Sequence, residues 1–253
     1  MQRKAEAIVL KRRDYKENAR IVTVFTAKFG WFDLIVEGIK KPASQWVGAL
    51  EPFSWIELDF AEAKTWQRFT AASIKTAFVP PGSAVELMAA AYALAEPVTQ
   101  LIPERESQPE VYGALLEALG ELPHMEPELV LAWFRLRLLG LLGFPPSLSR
   151  CAVGDETIPP EQIAGLSVGR GAVVCADHLP HAPLSAKLLP RAVKLLFLIS
   201  RAPISRLRGV AVHEEERQQL SDVIHQLLCY HTERRMGRAA EYFEQGKASS
   251  PLF

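Results

Sequence analysis

Between residues 5 and 78 the apolar positions gather in five short runs, AEAIVLKRR, ARIVTVFTA, GWFDLIVEG, ALEPFSWIELDFA and WQRFTAASIKTAF. Each is rich in β-branched and aromatic residues, a pattern that predicts strands. Asp14 to Asn18, Phe29-Gly30, Gly38 to Ser44 and Ala61 to Lys64 supply the turns between them. Five strands in so short a stretch point to a small sandwich or barrel. The five-stranded OB barrel is the natural candidate, and an SH3-like barrel has the same strand count.

Pro80-Pro81 closes the β region, and the period then changes to that of helices. SAVELMAAAYALAEPVTQLI, QPEVYGALLEALGEL and EPELVLAWFRLRLLGLLG carry alanine and leucine at helical spacing. Ser83 followed by Glu86 has the form of a capping box. Pro127 at a first-turn position and Gly143 past the last turn bracket the third helix. Residues 144–185 break the pattern with six prolines and four glycines, leaving a loop-rich insert with one hairpin in GLSVGRGAVVCA. Helices resume near Ser185, and a long one is expected over 213–235. The expected organisation is therefore α+β. A barrel domain spans 1–80 and a helical domain 81–253, with the insert at about 144–184.

The formal net charge is zero, but the zero is a cancellation. Residues 1–78 hold 13 Lys/Arg against 9 Asp/Glu, residues 79–145 hold 3 against 9, and residues 146–253 hold 13 against 11. The barrel is thus basic and the first helices acidic, which says more about partners than the total does. Three cysteines at irregular spacing give no disulfide framework and fit reduced thiols in a cytosolic protein. No stretch has the form of a signal sequence, and the longest apolar runs, such as VKLLFLI, fall far short of the ~20 residues of a membrane span. A soluble, cytoplasmic protein without a membrane partner is expected.

Lys11, Arg12, Arg13, Lys16 and Arg20 crowd the first hairpin, and Lys40 and Lys41 sit on a later turn beside Pro42. Along one barrel edge these cations would track a phosphate backbone, with Trp31, Phe32 and Trp46 stacking on bases. The same residues also suit a solvated hairpin over buried aromatics. A second set, Cys151, Cys175 and His178, offers three metal donors, with Asp155 as the nearby carboxylate. Structural zinc normally takes four Cys or His ligands, so this set is short of one and the expected insert holds no metal. Cys175 with His178 or His181 has the residue types for nucleophilic catalysis, but nothing supplies an oxyanion element, and no phosphate-binding or nucleophile-elbow motif occurs. An enzyme is not expected. Lys187, Arg191, Lys194 and Arg201 fall on one helical face, either a wet surface or a second phosphate-contacting stripe.

Three blocks carry a family resemblance in order along the chain. IVLKRRDYKENARIVTVFTAKFGWFDLIVEGIKKP with GALEPF, then FRLRLLGLLGFPPSLSRC, then LLCYHTERRMGRAAEYF resemble the barrel, the helix entering the insert, and the closing helix of the bacterial recombination mediator family RecO. The resemblance implies an N-terminal OB-fold, a helical domain and a zinc-ribbon-like insert. It also implies a cytoplasmic, nucleoid-associated protein without catalytic turnover, which binds single- and double-stranded DNA and anneals complementary strands. With RecR, such a protein helps load RecA onto strands coated by single-strand binding protein, whose acidic C-terminal tail it recognises. Lys11, Arg12, Arg13, Arg20, Lys40 and Lys41 match the family's basic barrel positions. Many relatives hold two C-x-x-C pairs in the insert, whereas Gly154 and His178 occupy the second positions here. Two other classes remain in view: a structural adaptor whose helices dock proteins, and an RNA-binding OB-fold protein.

Overall fold

A computed structural model describes residues 1–40, 46–63 and 65–237. The five expected strands form: β1 (Gln2–Lys16), β2 (Ala19–Thr26), β3 (Gly30–Glu37), β4 (Ser54–Ala61) and β5 (Gln67–Ala77). They close into a barrel in the order β1-β2-β3-β5-β4, with β4 also paired to β1. All pairings are antiparallel except β3 with β5, which is parallel through Leu34–Gln67 and Ile35–Arg68. Closed five-stranded order of this kind is the OB architecture, and a helical region follows it.

Two compact units are present. Among the described residues the first comprises 1–123 with Gly237, and the second 124–236. The change from strands to helices falls near residue 80, as the sequence indicates, but α1 (Val85–Leu101) and α2 (Pro109–Glu121) belong to the barrel unit. The reason is visible on β2. Val22 and Val24 point into the barrel core with Phe32, Leu34, Ile56 and Leu58. Ile21 and Phe25, on the other face, are also fully buried. Phe25 meets Tyr112 of α2 with ring centroids 5.7 Å apart, and Phe53 meets Tyr92 of α1 at 4.8 Å. A strand covered on both faces reads as a continuous apolar run, which is what ARIVTVFT is.

The second unit is built on α3 (Pro127–Leu141), α4 (Pro190–Arg201) and α5 (Glu214–Thr232), which pack on one another. The insert contributes the expected hairpin, β6 (Ile163–Ser167) and β7 (Ala172–Cys175). A short β8 (Ser185–Lys187) pairs with β6 on its other edge to make a three-stranded sheet. Lys187 therefore lies on a strand rather than on the helix with Arg191 and Lys194, which undoes the proposed single cationic face. The helix instead starts at Pro190, whose fixed φ and missing N–H suit a first turn. The Ser83–Glu86 capping box is likewise absent: the Ser83 hydroxyl donates to the Pro80 carbonyl at 2.7 Å, and the cap position is Ala84. None of the helices among the described residues is long and apolar enough to cross a membrane.

Gly30 is a tight constraint on the barrel unit. It has φ +64°, and a Cβ there would overlap the backbone of Glu106 in the segment that joins α1 to α2. Gly30→Ala is expected to destabilise the protein by at least about 1–3 kcal/mol through backbone strain, before any cost of displacing the Glu106 segment. Thermal or urea unfolding of the variant against the parent checks this.

Candidate functional site

The basic residues of the first hairpin fall into two groups. Asp14, near the end of β1, organises one of them: Arg20 Nε donates to its Oδ1 and Lys40 Nζ lies against its Oδ2, both at 2.9 Å. Lys40 also donates to the Lys16 carbonyl at 3.3 Å, tying the turn after β3 to the end of β1. Lys40 and Arg20, acting through hydrogen bonds and charge, hold the Asp14 carboxyl below its ordinary value of 3.8. Its ion pairs are therefore in force above that value and lost as pH falls through the lowered one. Arg13, half exposed, lies 3.8 Å from the Asp33 carboxylate, which also accepts from Thr23 Oγ1 at 2.6 Å.

The remaining candidates are placed differently. Arg12 pairs with Glu51. Lys11 follows the bulge at Leu10 and lines a cavity of about 360 Å³ with Trp31, Tyr92 and Glu96. Lys41 lies outside the described residues. The structure thus joins Arg20, Lys40 and Lys16 at one end of the hairpin, with Arg13 on the same strand, and turns Lys11 and Arg12 elsewhere.

The aromatic residues proposed as base platforms are largely structural. Phe32 is in the barrel core, as strand alternation from Leu34 and Val36 requires, and Trp46 packs against that core beside Phe69. Trp31 donates from Nε1 to the Ile102 carbonyl at 2.7 Å.

The insert holds a second cluster. Cys151, Cys175, His178 and Glu156 bring one donor atom each to within 4.8 Å of all the others. Cys151 Sγ is 3.7 Å from Cys175 Sγ and 3.4 Å from His178 Nδ1. His178 Nδ1 is 3.3 Å from Cys175 Sγ and 3.4 Å from Glu156 Oε1, which lies 3.7 Å from Cys175 Sγ. The hairpin β6-β7 delivers Cys175, the following turn His178, and the Arg150–Thr157 bridge fixes the loop that carries Cys151 and Glu156. Asp155, the carboxylate nearest in sequence to the missing ligand, is instead engaged by Arg150, whose Nε and Nη2 each donate to it at 2.9 Å. The fourth donor is its neighbour.

Burial alone would raise the Cys151 thiol. The backbone N–H groups of Cys175, Val153 and Gly154 and the His178 side chain overcome it and bring the thiol down to about 7. Burial and the adjacent Cys151 push Cys175 up, and Cys151 raises His178. Cys151 is therefore the sulfur readiest to serve as thiolate.

Two family comparisons cover nearly the whole chain. Residues 1–78 match the family model described as recombination protein O N terminal, and residues 83–239 match recombination protein O C terminal. The chain belongs to the recombination protein O family. It is similar to the DNA repair protein RecO of Desulforamulus reducens, 26% identical over 242 residues that cover 96% of this chain and 94% of that protein. It is also similar to the DNA repair protein RecO of Exiguobacterium sibiricum, 28% identical over 222 residues, 87% of this chain and 88% of the relative.

For this RecO family member the insert's donor set fits zinc. A tetrahedron with metal–sulfur bonds of about 2.3 Å and metal–nitrogen or metal–oxygen bonds of about 2.0–2.2 Å has edges of about 3.3–3.8 Å. The five separations above run from 3.3 to 3.7 Å. Two thiols, an imidazole and a carboxylate are zinc donors by type. This runs against the expectation of a metal-free insert, which rested on the lack of a fourth ligand. Gly154 explains how the substitution works: a Cβ there would overlap the Glu156 carboxylate and come within 2.7 Å of His178 Cε1. A cysteine at 154 and the carboxylate of Glu156 cannot share the site.

Zinc, when bound by Cys151, Cys175, His178 and Glu156, would act as a cross-link within the insert. Cobalt(II) added to chelator-stripped protein is expected to bind at one equivalent with the visible spectrum of a tetrahedral, two-thiolate site. Glu156→Ala is expected to weaken that binding by at least about tenfold. Cys175→Ser should remove much of the sulfur-to-metal absorption.

Proposed function

We propose that this protein acts in DNA repair and recombination by binding rather than by catalytic turnover. It binds single- and double-stranded DNA and brings complementary strands together. With RecR it assists the loading of RecA on strands coated by single-strand binding protein, whose acidic tail it engages. The observation that carries the DNA-binding reading is the set of cations gathered on Asp14 at the end of the first hairpin of an OB barrel. Family membership supports the repair and recombination role.

The geometry supplies a way for this set to work. Asp14 holds the Arg20 guanidinium and the Lys40 ammonium side by side before any strand arrives, so two long side chains lose little further freedom on binding. A phosphate can take the place of the carboxylate without moving either cation far. Each phosphate so neutralised releases counterions, which gives the affinity its salt dependence. The strand-closing step then follows from charge: a protein that neutralises both backbones lowers the repulsion between two single strands.

Binding of a labelled oligonucleotide over a salt series tests the reading. Arg20→Glu with Lys40→Glu is expected to weaken binding and to flatten the salt dependence. The slope of log K against log salt should fall by about 1.4 for single strands if each residue serves one phosphate. Affinity and slope equal to the parent's would exclude this set as a DNA contact. Asp14→Asn, which frees both cations, should tighten binding at low salt.

A further inference from the structure

With the expected stacking residues accounted for by the core, the aromatic surface of the barrel lies elsewhere. Tyr15 is 39% exposed near the end of β1, and its ring meets that of Trp66, the residue before β5. The centroids are 4.8 Å apart and the planes 80° to each other. In this perpendicular arrangement one ring meets the other with its edge, so the pair itself takes up less ring face than a stacked pair would. One cation lies over the pair. Lys16 Nζ is 5.3 Å from the Tyr15 centroid, and Lys40 donates to the carbonyl of that same Lys16. Asp14, which holds Arg20 and Lys40, immediately precedes Tyr15 in the chain.

The other tryptophans of the barrel unit are committed. Trp31 donates to Ile102, Trp46 packs on the core, and Trp55 donates to the Tyr112 hydroxyl at 3.1 Å beneath Lys75 Nζ, 4.1 Å from its ring centroid. Trp66, by contrast, has an exposed tyrosine as its ring partner.

We propose that Tyr15 and Trp66 form the base-stacking platform of this protein, selecting nucleic acid whose bases are unpaired over duplex. The proposal rests on the DNA-binding reading above and adds what charge alone cannot supply. The Asp14-centred cations contact phosphate, which single strands and duplex both present. An aromatic face contacts only a base that is free to leave its stack.

The experiment compares two probes of equal length and charge over the same salt series: a thymine oligonucleotide and its abasic counterpart. The parent is expected to favour the thymine strand by about tenfold or more, from stacking on the order of 1–3 kcal/mol per base. Tyr15→Ala and Trp66→Ala should each cut that preference severalfold while leaving the salt slope unchanged. Tyr15→Phe, which keeps the ring, should retain it and shows that the site survives substitution. A parent that binds both probes alike, or alanine variants that keep the full preference, would overturn the platform while leaving the phosphate contacts standing. A parent that binds neither probe would overturn both this proposal and the DNA-binding reading on which it rests.

Discussion

Two parallel residue pairs, Leu34 with Gln67 and Ile35 with Arg68, close the barrel, and the arrangement of its basic end depends on them. The other four pairings in the barrel are antiparallel, and with them alone the five strands would form an open sheet with exposed edges. Closure requires β5 to start beside the middle of β3 and run along it. That start places Trp66, one residue before Gln67, within ring contact of Tyr15 on β1. Gln67 itself is buried and accepts from the Ala63 N–H at 2.9 Å, so the entry into β5 is held by its own side chain. Strands far apart in sequence thus meet around one patch of surface because the sheet has no free edge.

Much of this was readable in advance because strand periodicity and turn residues are local signals. The five strands and the first three helices follow from the spacing of apolar residues, and the hairpin in the insert follows from its glycines. The errors come partly from a nearer local partner and partly from contacts between distant segments. Ser83 looks like a cap by its spacing to Glu86, but Pro80 offers its hydroxyl a nearer carbonyl. Phe32 and Trp46 look like exposed platforms until the barrel closes around them. Alternation from Leu34 and Val36 would have assigned Phe32 inward, and that signal was available. For Trp66 no such signal existed, since its partner lies some fifty residues away.

The insert makes the same point with chemistry. Counting cysteines against a C-x-x-C template leaves the site short by one at Gly154 and by a substitution at His178. Asp155 is the carboxylate nearest to the gap by sequence, yet Arg150 takes it, and the backbone turn presents Glu156 to the thiols instead. Adjacent residues on an irregular loop point in different directions, so proximity in sequence could not choose between them. The absence of a side chain at 154 is what lets the carboxylate in. A ligand lost at one position and a ligand gained two residues later are a single structural change.

The role of Asp14 follows from comparing its two kinds of partner. A carboxylate between two cations contributes little to fold stability when, like Asp14, it stays largely exposed to water. Its larger effect is on what the cations can do next. Left unpaired, Arg20 and Lys40 would repel each other and sample many rotamers. Held by Asp14, they share one small region with the end of β1, where Lys16 lies over the Tyr15 ring. The carboxylate also competes with any incoming phosphate, so it moderates affinity while it fixes geometry. Under the proposed reading, in which the protein brings strands together and then releases the product, moderate contact with phosphate combined with selective contact with unpaired bases would have a direct consequence. Pairing removes the bases from the aromatic surface, and what remains is the weaker, salt-screened hold on the backbone.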